Sequence, residues 1–230
     1  MLVGLKEKSN KWMIGVFLLL VALSRWPGLF PPSFSVVYAL AFCAGLYFAK
    51  SMAWWLPLLI LVATDVALNF YYQTKGYEVW TGAVIKYQLV NYLGYLGIIW
   101  LGRRFQPQAA AKKRAKLQAA GNFLSLVGGG ILGALIFFLV TNTASWLLNP
   151  FQNPEYAKTF SGWLIAIVKG TNGWPQTWEF FRNTLLSGGL FTGLLVGAMK
   201  LSGAESPAEK EAGVRAEEPE GEAQPEEAGA

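Results

Sequence analysis

The stretch "LLILVATDVALNF", residues 58–70, decides how this chain is read. Ten of its thirteen residues are apolar, yet Asp65 sits in the middle. Apolar runs of similar character recur along the 230 residues. The hydrophobic fraction is 53% and only 14% of residues are charged, against about 25% in a typical soluble domain. A helix needs ~20 residues at 1.5 Å rise to cross ~30 Å of hydrocarbon. Inside a bilayer the backbone must satisfy its own polar groups, which selects helices over lone strands. The sequence therefore predicts an all-α, polytopic membrane helix bundle of about six transmembrane helices, followed by a disordered acidic C-terminal tail.

Spans are expected near residues 11–27, 36–52, 54–73, 80–101, 121–148 and 181–201. Little more than "SMAWW" separates the second from the third, which makes them antiparallel neighbours. The fifth is long, and "VGGGILG" offers a place for a bend. The connection 149–180 contains "TFSGWLIAIVKGT", an apolar stretch too short to span. A short interfacial or re-entrant helix is expected there. Residues 1–202 thus read as a six-helix transmembrane domain. Residues 203–230 have no aromatics and one branched aliphatic, Val214, so they cannot bury enough apolar surface to offset ordering entropy. They read as a disordered, solvated cytoplasmic tail, with contact to the basic connection 103–116 as the lesser alternative.

Charge is divided along the chain. Residues 1–202 hold 17 Lys+Arg against 5 Asp+Glu, whereas 203–230 hold 2 against 9. With the N-terminus inside, 13 of the 19 cations fall on the cytoplasmic side, most of them in "GRRFQPQAAAKKRAKLQ" and at the N-terminus. The positive-inside rule then places both termini in the cytoplasm, in a multi-pass protein of the cell inner (cytoplasmic) membrane. Trp12, Trp26, Trp54, Trp55, Trp80, Trp100 and Trp146 lie near proposed span ends, as an aromatic belt requires. The first apolar run, with its basic start and "ALS", also fits a cleaved signal peptide. Keeping it as a span preserves the agreement between charge and topology.

Several function classes drop out. There is no histidine, which removes histidine catalysis and the usual nitrogen ligands of transition metals. No metal site and no cofactor is expected. The single cysteine, Cys43, permits no internal disulfide. No basic-aromatic groove points to nucleic acid. No GxSxG nucleophile motif and no paired carboxylates within the spans point to an enzyme, so none is expected.

Polar residues inside apolar spans carry the functional reading. An ionised carboxylate in hydrocarbon costs at least ~2.5 kcal/mol and calls for a partner. Asp65 and Lys86 are expected at matched depths on neighbouring antiparallel helices, which suggests an Asp65–Lys86 pair. Such a pair is either structural or the lining of a polar pocket. Asn69 shares a helical face with Asp65. Tyr87, Asn91 and Tyr95 form a stripe on the fourth span. Asn142 and Trp146 stand four apart on the fifth, and Arg182 and Asn183 open the sixth. Asp65, Asn69, Lys86, Asn91, Asn142, Trp146, Arg182 and Asn183 are therefore candidate ligand-binding residues in the outer half, with apolar walls around a few polar groups. Taken singly, each asparagine is also explained by interhelical hydrogen bonding. Gly189, Gly193 and Gly197, with Gly129 and Gly133, form small-residue stripes that suit tight helix packing within the chain or a docking face for a partner.

Several phrases appear in a familiar order: "RWPGLFPPSFSVVYALAFCAGLYFA", "LPLLILVATD", "FFLVTNTASWLL", "YAKTFSGWLIAIV" and "FFRNTLLSGGLFTGLLVG". Across roughly residues 20–200 the chain resembles an uncharacterised family of bacterial integral membrane proteins. That family is distantly similar to the substrate-binding S components of energy-coupling factor transporters. The most specific parts are Thr141, Asn142 and Trp146, and FFRNTLL from Phe180. The alanine-rich docking signature of S components is absent from "WMIGVFLLLVAL", and Ser33 precedes Phe34 where the family often has an asparagine. The resemblance implies six helices, cytoplasmic termini and an outward pocket near Asn91, Asn142, Trp146, Arg182 and Asn183. It also implies a small polar or vitamin-like solute as ligand, with an energising ATPase and transmembrane coupling subunits as partners beside the lipid bilayer. The chain itself has no phosphate-binding GxxxxGK[ST] loop. The leading expectation is a solute-binding subunit of a transporter. The alternative is a structural or partner-binding membrane subunit with no transport role.

Overall fold

The computed structural model describes residues 19–48, 51–106 and 116–201, the backbone alone at 116–120. The acidic tail, the start of the first expected span and most of the basic connection lie outside them. The described residues are helical throughout their regular structure. We number the helices α1 (19–25, within the described residues), α2 (Val37–Tyr47), α3 (Met52–Thr74), α4 (Gly82–Arg104), α5 (Lys116–Leu148), α6 (Phe160–Val168) and α7 (Thr177–Leu201).

Three of them, α3, α5 from Gly121 onward and α7, are long and apolar enough to cross a membrane. This places the chain among membrane proteins, with fewer qualifying spans than the six expected. The differences have physical causes. The expected second span, 36–52, is an 11-residue helix, ~16 Å long at 1.5 Å per residue. It cannot reach across ~30 Å of hydrocarbon. The expected fourth span, 80–101, is a 23-residue helix and long enough. Lys86, Gln88, Asn91 and its tyrosines make it less apolar. Of the first, 11–27, only the last turns are described. α6 is the short helix expected within 149–180, started by the Thr159 hydroxyl, which accepts from the Gly162 amide at 3.1 Å.

The bundle closes around α2. Every residue of α2 is buried. α2 packs on α4, α4 on α5, α5 on α7, and α7 back on α2, while α3 lies outside against α2 and α4. α6 rests on α5 and α7. Close approach explains the α2–α4 contact: a Cβ on Gly45 would run into the Ile99 carbonyl, and one on Gly102 into the Phe42 carbonyl. Small residues let membrane helices come this near. The α5–α7 contact uses Gly130 against Thr192 and Gly188 against Ala134. The glycine stripes read from sequence are only partly engaged. Gly129 meets Phe42 and Phe105, Gly133 meets Ile98, and Gly189 meets Ile131, but Gly197 faces open space.

A helix buried end to end must have its terminal backbone groups satisfied by the protein. At the start of α2, Ser24 accepts from the Val36 amide and Ser35 from the Val37 amide, both at 3.3 Å. At its end, the Gln106 amide donates to the Gly45 carbonyl at 3.0 Å. The outward surface is apolar in turn. Leu59 and Phe70 on α3, Leu93 on α4, and Leu186, Leu190 and Leu194 on α7 are all exposed. Large exposed apolar faces of this kind belong against lipid.

Candidate functional site

Asp65 is paired with Arg25, not Lys86. The guanidinium of Arg25, at the end of α1, meets the Asp65 carboxylate, and each side chain is 15% exposed. Lys86 fails for reasons of helical phase. It lies nine residues before Tyr95, about two and a half turns, so it leaves α4 on the side opposite Tyr95 and is exposed. Tyr92 and Tyr95 are the α4 residues that face the pair: the Tyr92 hydroxyl contacts Asp65 and the Tyr95 hydroxyl contacts Arg25. By the positive-inside count Arg25 is one of the six cations left on the outer side, and no local motif gives it a role. The signal was its position at the end of an apolar run, level with the outer end of the third span.

A polar and aromatic interior extends from this pair. Tyr95 stacks on Tyr38 of α2 with ring centroids 6.3 Å apart, and meets Phe137 of α5 in a tilted contact at 4.4 Å. The Tyr38 hydroxyl contacts Thr184 of α7 and Ser33 of the first connection. Tyr87 interacts with Tyr38 and with Tyr156 of the 149–159 connection. Five segments thus contribute hydroxyl groups to one region. Nε of Arg25 is buried without a hydrogen-bond partner among the described residues, and so is Oδ1 of Asn91, one turn before Tyr95 on α4.

The other expected site residues hold elements together. Asn69 and Gln88 exchange amide hydrogen bonds between α3 and α4, at 2.9 and 3.4 Å. Asn142 donates to the Phe138 carbonyl of its own helix at 2.9 Å. The Trp146 indole donates to the Ala157 carbonyl at 2.7 Å. Asn183 donates to the Pro32 carbonyl at 3.0 Å, tying α7 to the first connection. Arg182 is exposed, its guanidinium 5.2 Å from the Trp178 ring. Among the described residues, no two of the eight are hydrogen-bonded or ion-paired to each other. Asn91 alone presents an unsatisfied atom.

The connection 149–159 is itself ordered by polar contacts. Asn149 takes a left-handed backbone, φ 41°, at the end of α5. Its amide side chain then accepts from the Asn153 amide at 2.8 Å and donates to the Asn153 carbonyl at 2.9 Å. The Lys158 ammonium reaches back to the Trp146 and Leu147 carbonyls, which the helix end leaves unpaired. Burial pushes the Tyr156 hydroxyl above its ordinary range, opposed by a hydrogen bond with Ser145 and reinforced by the Glu155 carboxylate. Among the described residues, no cluster of metal-ligating side chains exists.

Comparison with known proteins adds one match. Residues 5–209 match a family of unknown function, DUF6580. No curated protein and no solved structure matches the chain.

Proposed function

The chain belongs to that family of unknown function, and from this premise we propose that it is a membrane subunit that binds a small polar or vitamin-like solute, in the manner of an S component. One observation carries the reading. The Arg25 Nε donor and the Asn91 Oδ1 acceptor are both buried and unsatisfied, and Asn91 stands one turn from Tyr95, which stacks on Tyr38. Leaving such atoms unpaired costs ~1–3 kcal/mol each, and a ligand with a complementary acceptor and donor removes that cost. Apolar walls with a few placed polar groups are the usual composition of small-molecule sites.

In this reading Asp65 positions Arg25, Asn91 faces the solute, and Tyr38, Tyr92 and Tyr95 shape its walls. Asn69 and Asn142 brace the helices. Asn183 and Trp146 hold down the connections that cover the site, and Arg182 stands at its rim. The protein is multi-pass in the cell inner membrane with both termini cytoplasmic, α1 to α5 and α7 forming six membrane-embedded segments. The distribution of Lys and Arg supports that orientation. Transport through it requires an energising ATPase and transmembrane coupling subunits.

The alternative, a structural or partner-binding subunit with no transport role, draws on Gly197, which faces open space beside the exposed leucines of α7. One experiment separates the two. Small molecules retained by protein purified in mild detergent are identified by mass spectrometry, beside an Asn91→Ala, Tyr95→Phe double variant. A solute held by the native chain and lost from the folded variant supports the solute-binding reading. Well-folded native protein that retains only lipid and detergent moves the assignment to the alternative.

A further inference from the structure

A second feature lies on the outer wall of the bundle, away from the tyrosine interior. Val90 of α4 and Leu139, Val140, Thr143, Ala144, Leu147 and Leu148 of α5 line an open groove of about 500 Å³. Its walls are almost wholly apolar. An open apolar groove of this kind, on a wall that faces lipid, suits part of one acyl chain.

The groove has a charged mouth. Gly94 packs against Phe137 and Thr141, which fixes the register of α4 on α5. Val90 stands one turn further along and Lys86 one turn beyond that, level with the end of α5 at Leu147 and Leu148. Lys86 is exposed, and the described contacts give it no acidic partner. On the other side Lys158 caps the last carbonyls of α5, one of them that of Leu147, at 2.8 Å. Lys86 by register and Lys158 by its bond to the Leu147 carbonyl both belong to the Leu147–Leu148 end of the groove. Lysine near a helix end extends its stem along apolar surface and puts its ammonium at headgroup level.

We propose that this groove holds one acyl chain of an anionic phospholipid from the adjacent leaflet, its phosphate seated between Lys86 and Lys158. Charge complementarity favours a lipid over a second copy of the chain, because two copies would bring like charges together. The site does not depend on solute binding.

The test is native mass spectrometry of the full chain in mild detergent, titrated with dioleoyl phosphatidylglycerol or dioleoyl phosphatidylcholine. Val140→Trp fills the groove from an exposed position. Leu132→Trp, equally exposed on α5 but outside the groove, controls for the added indole. The native chain is expected to retain one phosphatidylglycerol in preference to phosphatidylcholine. Lys86→Gln should weaken phosphatidylglycerol roughly fivefold, the scale of one lysine at an anionic surface, and erase the preference. V140W should lose the bound lipid and L132W should keep it. Equal retention in native and V140W protein overturns the proposal. So does a preference unchanged by K86Q, or a native dimer that V140W converts to monomer.

Discussion

α2 and α3 are consecutive and both strongly apolar, yet they meet opposite surroundings. α2 buries all eleven of its residues, whereas α3 buries only Ala53, Pro57, Leu61 and Asn69 over twenty-three. α2 is enclosed by protein and α3 is pressed mainly against lipid. Hydropathy does not distinguish these cases, because lipid tails and a protein core are similarly apolar. The distinguishing features are polar. α2 has serines and a glutamine supplying its terminal backbone groups, and α3 has one ion pair and one amide exchange holding it in place.

The contrast breaks most severely at the crossing of α2 and α4. Gly45→Leu sets a side chain against the backbone of Ile99, so neither partner can yield by changing rotamer. Monodisperse protein is expected to disappear on size-exclusion chromatography. Gly97→Leu, which meets nothing within 4 Å, should remain at native yield. Next comes a comparison of truncations. Phe42→Ala empties a fully buried position on α2 and should cost ~3–5 kcal/mol in denaturant unfolding. Leu59→Ala on α3, 58% exposed, should stay within ~0.5 kcal/mol.

The polar ties of α3 sharpen the comparison further. Arg25→Met leaves the largely buried Asp65, 15% exposed, without its partner and should cost about 2 kcal/mol, less than the ~3–5 kcal/mol of a fully buried pair because some water reaches it. The double variant Arg25→Met, Asp65→Leu should recover most of that loss, and Lys86→Met should change stability little. Equal losses in the single and double Arg25 variants would remove the ion pair from the account of α3. The smallest effect belongs to the exchange between Asn69 and Gln88. A double-mutant cycle to leucine should give a coupling near 0.6 kcal/mol, the average for hydrogen bonds between membrane helices.

Much of this was legible in the sequence where the cause is local. Apolar runs located α3, the apolar part of α5, and α7, and the dozen residues around Leu164 were too few for anything but a short helix. Asp65 announced its need for a partner through its apolar surroundings alone. The partner was not legible, since Arg25 reaches it through the packing of α1, forty residues away in sequence. The expected pairing with Lys86 failed on helical phase, because phase is set by which face of α4 meets α2. Asn183 shows the same limit. Its contact with Pro32 spans 151 positions, and no local pattern encodes it. The burial of α2 was hidden for the reason already given, that a core segment and a lipid-facing one share a composition.

The enclosure of α2 also bears on how the chain comes into being. Ribosomes release the protein from its N-terminus, and α2 is made early. Its surroundings include α7, which emerges well over a hundred residues later. The segment is too short to hold itself across a bilayer, and its cover remains incomplete until nearly two hundred residues have been translated. Assembly therefore closes late, with α7 packing around a segment made much earlier. Any truncation upstream of α7 leaves that early segment uncovered, a substrate for membrane quality control.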